Sequence, residues 1–120
     1  MKTGSWKTYK GAGRIGVARQ APRFAPAGFK LYRALAPGPW FNEPMTEGEY
    51  ERRYRSEVLD RLDPQAVWDQ LHALALPPGA EPVLMCFEAP PWTSDNWCHR
   101  RMIAAWFKET LGQEVPEIAV

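Results

Sequence analysis

A chain of 120 residues with 45% hydrophobic and 24% charged side chains has the length and composition of one globular domain that buries its own core without disulfide or metal staples. Its apolar runs are only a few residues long and the start, Met1-Lys-Thr-Gly-Ser-Trp-Lys7, lacks an apolar signal core, which argues against a membrane span or a secretory leader and for the cytoplasm. A net charge of +1 hides a segregation: residues 1 to 42 carry eight basic side chains and no acid, leaving seven basic and all fourteen acidic ones beyond.

Taken along the chain, Ser5 to Tyr9 and Arg14 to Ala18 read as strands, and the Lys10-Gly-Ala-Gly13 between them reads as a hairpin or tight turn. Gly11-Ala-Gly-Arg-Ile-Gly16 matches the letters of a dinucleotide fingerprint. It lacks the helix that should follow and the acid about 20 residues on, so that motif is rejected. From Gln20 to Pro44 the chain is rich in Pro, Gly and aromatics, with a short strand over Lys30 to Leu35.

Thr46-Glu-Gly-Glu49 has the form of a capping box and opens a helix over about 46–62, with Tyr50, Tyr54, Val58 and Leu62 at helical spacing. Asp63-Pro64 then serves as N-cap and first position of a second helix to about 76, with Val67, Trp68, Leu71 and Leu74 on one face. His72 lies on it with no partner at ligand spacing. Pro82-Val-Leu-Met-Cys-Phe-Glu88 is a continuous apolar run, as in a strand covered on both faces. Ser94 or Asp95 caps a third helix over about 96–111, stopped by Gly112, and Val115 to Val120 offers a last short strand. This order predicts a single three-layer α/β domain over 1–120, with a small, mainly parallel central sheet covered by helices.

In such a sheet ligands bind beyond the carboxyl ends of the strands, where helix N-termini also point. That rule brings Cys86 and Glu88, at the end of a buried strand, to Cys98, His99 and Arg100 in the first turn of the next helix. A free cysteine titrates near ~8.5, and a helix N-terminus with a neighbouring cation lowers this to roughly 3.5 to 7.5. Cys98 is therefore the nucleophile candidate, Cys86 a core or second thiol, and Glu88 either the partner that orients Arg100 or His99 or a general base. Two cysteines in a cytoplasmic setting are expected to be free thiols rather than a structural disulfide.

Three readings of these residues compete. Zinc finds the right ligand types but no C-x-x-C hook, and it is set aside. A redox pair needs the thiols within disulfide reach, across eleven intervening residues. An anion pocket, in which the helix N-terminus and Arg100 hold a phosphate, asks least of the sequence. The basic first third, interleaved with Trp6, Tyr9, Phe24 and Trp40, supports an alternative from another class, a non-catalytic nucleic-acid-binding module. Neither reading fixes a cofactor, a protein partner or whether the chain is an enzyme.

Val83-Leu-Met-Cys-Phe-Glu88 followed by Cys98-His-Arg100, and preceded by Tyr32-Arg-Ala-Leu-Ala-Pro37 and Glu49-Tyr50…Tyr54…Leu62-Asp-Pro64, resembles the domain-of-unknown-function family numbered 488, over about residues 5 to 112. The resemblance implies a small bacterial, archaeal or phage α/β protein of uncharacterised activity whose site comprises Cys86, Glu88, Cys98, His99 and Arg100. Ile15 to Pro22 fits that family's first sheet strand and loop, which brings Arg19 to the same edge as a ligand-binding residue. The loop Ala89 to Trp97, heavy in Pro and Trp, is where this chain departs.

Overall fold

The structure, a computed structural model, describes residues 1–119. Four strands, β1 (Lys2–Ser5), β2 (Arg14–Gly16), β3 (Lys30–Leu31) and β4 (Val83–Cys86), form one sheet in the order β1-β4-β2-β3. Every pairing is parallel. The expected small parallel α/β domain is thus present, and of the hairpin or tight turn expected at the Gly-rich segment the structure has the turn. β4 inserts between β1 and β2, pairing Thr3 and Ile15 with Leu84 on either side. The Gly-rich segment turns the chain without pairing its flanks: Gly13 adopts a φ of +84° and its amide bonds to the Leu76 carbonyl.

Alternation along β4 divides the core. Leu84 and Cys86 face the main cluster, which gathers Ile15, Leu35, Tyr54, Leu59, Leu71, Ile103 and Phe107, so the helices lie on this side. Val83 and Met85 face a smaller cluster, closed by Trp6 with Tyr9, Phe29 and Ile118. The third layer is therefore made of loop segments, because the Pro- and Gly-rich chain between β2 and β3 offers aromatics but no helix.

Helix α1 (Glu47–Glu57) begins with the expected capping box: the Glu49 amide donates to Thr46 Oγ1 at 3.2 Å and the Thr46 amide to Glu49 Oε1 at 3.1 Å. It stops short of Leu62, giving way to a tight turn over Leu59–Arg61 that sends Leu59 into the core. Helix α2 (Pro64–Leu74) is capped by the Asp63 carboxylate, which accepts from the Gln65 and Ala66 amides. Helix α3 (His99–Leu111) ends at Gly112 in the left-handed region. It starts later than expected: Ser94 and Asp95 belong to a turn in which the Thr93 and Asn96 backbones bond each other, and Asn96 Nδ2 donates to the Ala89 and Pro91 carbonyls. Beyond α3, Thr3 donates its amide to Pro116 and accepts from the Ile118 amide, which fastens the tail beside β1. Of the expected last strand only this bridge forms, and Val120 lies outside the described residues.

Candidate functional site

Cys86 closes β4 at the carboxyl edge of the sheet, and Cys98 is the N-cap of the helix that packs back on that strand. The loop between them returns to the same edge, so their Cα atoms stand 7.0 Å apart and the two sulfurs are joined as a disulfide. No described cysteine is free, contrary to the expectation of two thiols. That expectation rested on compartment; the strand-to-helix return, which brings the two positions together, is set by topology.

Arg100 sits in the first turn of α3 with no exposed surface at all. A buried guanidinium must spend its donors inside the protein. Nε and Nη2 donate to the two carboxylate oxygens of Glu117 at 3.1 and 2.7 Å, and Nη1 to Cys86 Sγ at 3.1 Å. Glu117 also accepts from Thr3 Oγ1 at 2.6 Å. Burial pushes the Glu117 carboxyl up, but the hydrogen bonds from Arg100 and Thr3 outweigh it and hold the pKa below its ordinary value. The Trp92 ring covers the guanidinium, its centroid 4.8 Å away.

His99, also buried, places Nε2 at 2.8 Å from the Val17 carbonyl and Nδ1 at 3.9 Å from Cys98 Sγ. A carbonyl only accepts, so Nε2 carries the proton and Nδ1 turns a lone pair toward the sulfur. Burial drives the imidazole pKa down to about 4, the Val17 bond opposing this and the Arg100 charge adding to it. The ring is held edge-on against Tyr54, whose hydroxyl donates to the Leu35 carbonyl at 2.6 Å.

Cys86, Cys98 and His99 form one wall of a cavity of about 550 Å³. Phe41, Met45, Tyr50 and Trp97 supply apolar surface, and Glu88, Ser94 and Asp95 the polar groups. No lysine or arginine lines it. The Tyr50 hydroxyl is held well above its ordinary pKa, first by burial and then by the Glu88 charge. Arg19 is exposed in an adjoining groove of about 400 Å³ that shares Ala18, Pro37 and Phe41 with the cavity.

The structure brings Cys86, Cys98, His99 and Arg100 together at one sheet edge, as the order of elements implies, and changes two of the expected contacts. Among the described residues Glu88 bonds neither Arg100 nor His99; Glu117 takes the arginine. Arg100 in turn reaches Cys86 rather than Cys98, because an N-cap side chain and one two positions into the helix leave the axis in different directions. The sequence assigns Glu117 no role, and it leaves Trp92 open between lid, interface and packing rather than over Arg100. The only signal for Glu117 was an acid in an otherwise apolar tail, Val115-Pro-Glu-Ile118.

A family model described as a domain of unknown function, DUF488, matches residues 17–107. The match spans Cys86, Cys98, His99 and Arg100 and stops short of Glu117. No curated protein and no solved structure gives a match.

Proposed function

The chain belongs to the DUF488 family, whose description names no activity, and from the geometry of its cavity we propose that Cys86 and Cys98 act as a thiol–disulfide pair on a small molecule or on another protein's thiols. The observation that carries this reading is the meeting of the two sulfurs on a cavity wall, between a buried guanidinium and an imidazole nitrogen with a free lone pair. Cys98, the N-cap of α3 on the cavity wall, is the attacking thiol. It opens an organic disulfide to form a mixed disulfide and releases one thiol. Cys86, held as thiolate by Arg100, then attacks Cys98 Sγ and releases the second. The net exchange converts the protein dithiol and one disulfide into the protein disulfide and two thiols.

A phosphate or nucleotide is the less favoured ligand, because the cavity wall presents Glu88 and Asp95 and no cation, and Arg100 is committed to Glu117. An anion would rest on Arg19 in the adjoining groove. A nucleic-acid surface is weaker still: Trp6 and Trp40 are 2% and 3% exposed, and Arg14 donates into the Gly11, Pro26 and Ala27 carbonyls.

Two measurements on the native protein test the proposal. Equilibration with glutathione buffers should give a reduction potential above about −300 mV, the level below which structural disulfides fall. Alkylation of the reduced protein should then show one thiol reacting as a thiolate below about pH 7. Thiols that react only after unfolding, in a protein that forms no disulfide at any glutathione ratio, would sink it.

A further inference from the structure

We propose that the reduced protein binds one thiophilic divalent ion, zinc foremost, through Cys86 Sγ, Cys98 Sγ and His99 Nδ1, with the fourth position open to the cavity. The three ligand atoms lie within 4.8 Å of one another and all three residues are buried. Sulfur and imidazole donors select zinc or another late transition metal over magnesium and calcium, which take oxygen. A tetrahedral zinc with bonds of about 2.3 Å to sulfur and 2.0–2.1 Å to nitrogen holds the two atoms about 3.5 Å apart. The observed separation of Cys98 Sγ and His99 Nδ1 is 3.9 Å. Adjacent residues turn toward one point here because Cys98 is in the extended region, at φ −146° and ψ 145°, while His99 has entered the helix.

The surroundings are those of a ligand set. A metal-bound histidine generally donates its other ring nitrogen to a carbonyl or carboxylate, which fixes the tautomer and the ring plane. His99 does so to Val17 at 2.8 Å. A metal-bound thiolate gains from a nearby donor, and Arg100 Nη1 supplies one to Cys86. Charge closes as well: Arg100 and Glu117 neutralise each other, and two thiolates neutralise a divalent ion. Three protein ligands with a fourth direction facing a cavity is the pattern of a site that takes water or substrate rather than of a closed structural one.

The inference rests on the thiol reading for its second half, that disulfide and ion exclude each other. Two thiolates that lose two electrons to an organic disulfide become the protein disulfide, the reagent leaves as two thiolates, and the divalent ion is released. The Cα separation of 7.0 Å is at the outer limit of disulfide spacing, so reduction lets the sulfurs part around an ion with β4 and α3 in place.

The test uses the full chain, reduced under anaerobic conditions and titrated with Co²⁺ and then Zn²⁺. The expected result is a saturable one-to-one complex with thiolate-to-cobalt charge-transfer absorption and tetrahedral d–d bands, displaced by zinc. C86S and C98S should each weaken the charge-transfer signal, since one thiolate remains in either, and H99Q should weaken affinity at least about tenfold, no less than loss of an outer-shell partner does. The oxidised protein should bind nothing. Circular dichroism checks each variant, and H99Q, which keeps both thiols, carries the test if a cysteine variant fails to fold. A folded, fully reduced protein whose thiols react with alkylating agent but give no cobalt–thiolate signal overturns the metal site and leaves the thiol reading standing. Unchanged affinity in H99Q overturns the three-ligand assignment. A cobalt complex in a protein that never forms the disulfide keeps the metal site and overturns the redox pair together with the mutual exclusion.

Discussion

Replacing Glu117 with Gln keeps the size of the side chain and removes its charge, which leaves Arg100 ionised, fully enclosed and without a counter-ion. In the native protein the guanidinium makes two hydrogen bonds to this carboxylate, at 3.1 and 2.7 Å. Removing one partner of a buried ion pair costs about 3–5 kcal/mol. The Glu117 side chain is 15% exposed, so water can reach the gap, and the loss should be nearer about 2–3 kcal/mol. For a domain of this length that lowers Tm by on the order of 10 °C. Urea unfolding of the oxidised protein, followed by tryptophan fluorescence, should show a lower midpoint at unchanged slope. The effect has a pH signature. The folded carboxyl titrates below its ordinary 4.5, so its contribution is fully present above that value and is lost as the pH falls through the folded pKa. The gap between wild type and E117Q should accordingly be constant near neutrality and narrow in acid. A gap under about 0.5 kcal/mol at pH 7, the scale of an exposed pair, would refute the view that Arg100 depends on Glu117.

Other positions test the same reasoning. Y54F removes the hydroxyl that donates to the Leu35 carbonyl at 2.6 Å in the core, and chemical unfolding should register about 1–3 kcal/mol for the orphaned acceptor. G13A puts a Cβ against the Glu81 carbonyl at a φ of +84°; two penalties of about 1–3 kcal/mol each should make it one of the most damaging single changes in thermal melts. T46A removes the hydroxyl that accepts from the Glu49 amide, leaving the Thr46 amide bonded to the Glu49 carboxylate, and should cost about 1 kcal/mol, with amide exchange accelerated in the first turn of that helix only.

Periodicity and end signals carried most of the fold. Glu49 and Asp63 stood where their cap bonds now form, and the unbroken apolar run through Leu84 marked a strand packed on both faces. What failed was whatever depends on a distant partner. The Gly-rich segment reads as a hairpin or tight turn because local geometry permits either, yet pairing is decided by β4, some seventy residues away, whose apolar faces are better buried between two parallel neighbours. Ser94 and Asp95 are as good N-caps as any by type. The helix starts later because Asn96 is drawn into bonds with Ala89 and Pro91, which no helical window contains. The candidate site divides along the same line. Cys86, Cys98, His99 and Arg100 are near in sequence and followed from a rule about sheet edges. Val17, Trp92 and Glu117 reach the site through the sheet, the loop and the tail, and only the assembled chain brings them there.

Arg100 is the hardest residue to explain as structure alone. A buried ion pair is weak grounds for stability, since apolar side chains of the same volume often serve as well or better. An arginine whose only task was to anchor the tail could do so through Glu117 with its remaining nitrogen in water. Here that nitrogen points at the Cys86 sulfur, the Trp92 ring lies over the guanidinium, and the carboxylate cancels the charge that would otherwise make the position untenable. Glu117, Thr3 and Trp92 are then the support that lets a cation stay beside a sulfur in a dry interior, where its field is least screened. The same field that favours a Cys86 thiolate disfavours protonation of His99, whose charge would sit next to it. Burial first, with the guanidinium adding to it, keeps the imidazole neutral, and the guanidinium's bond to Cys86 favours an ionised sulfur once the disulfide is reduced, the two conditions that both thiol chemistry and metal ligation require.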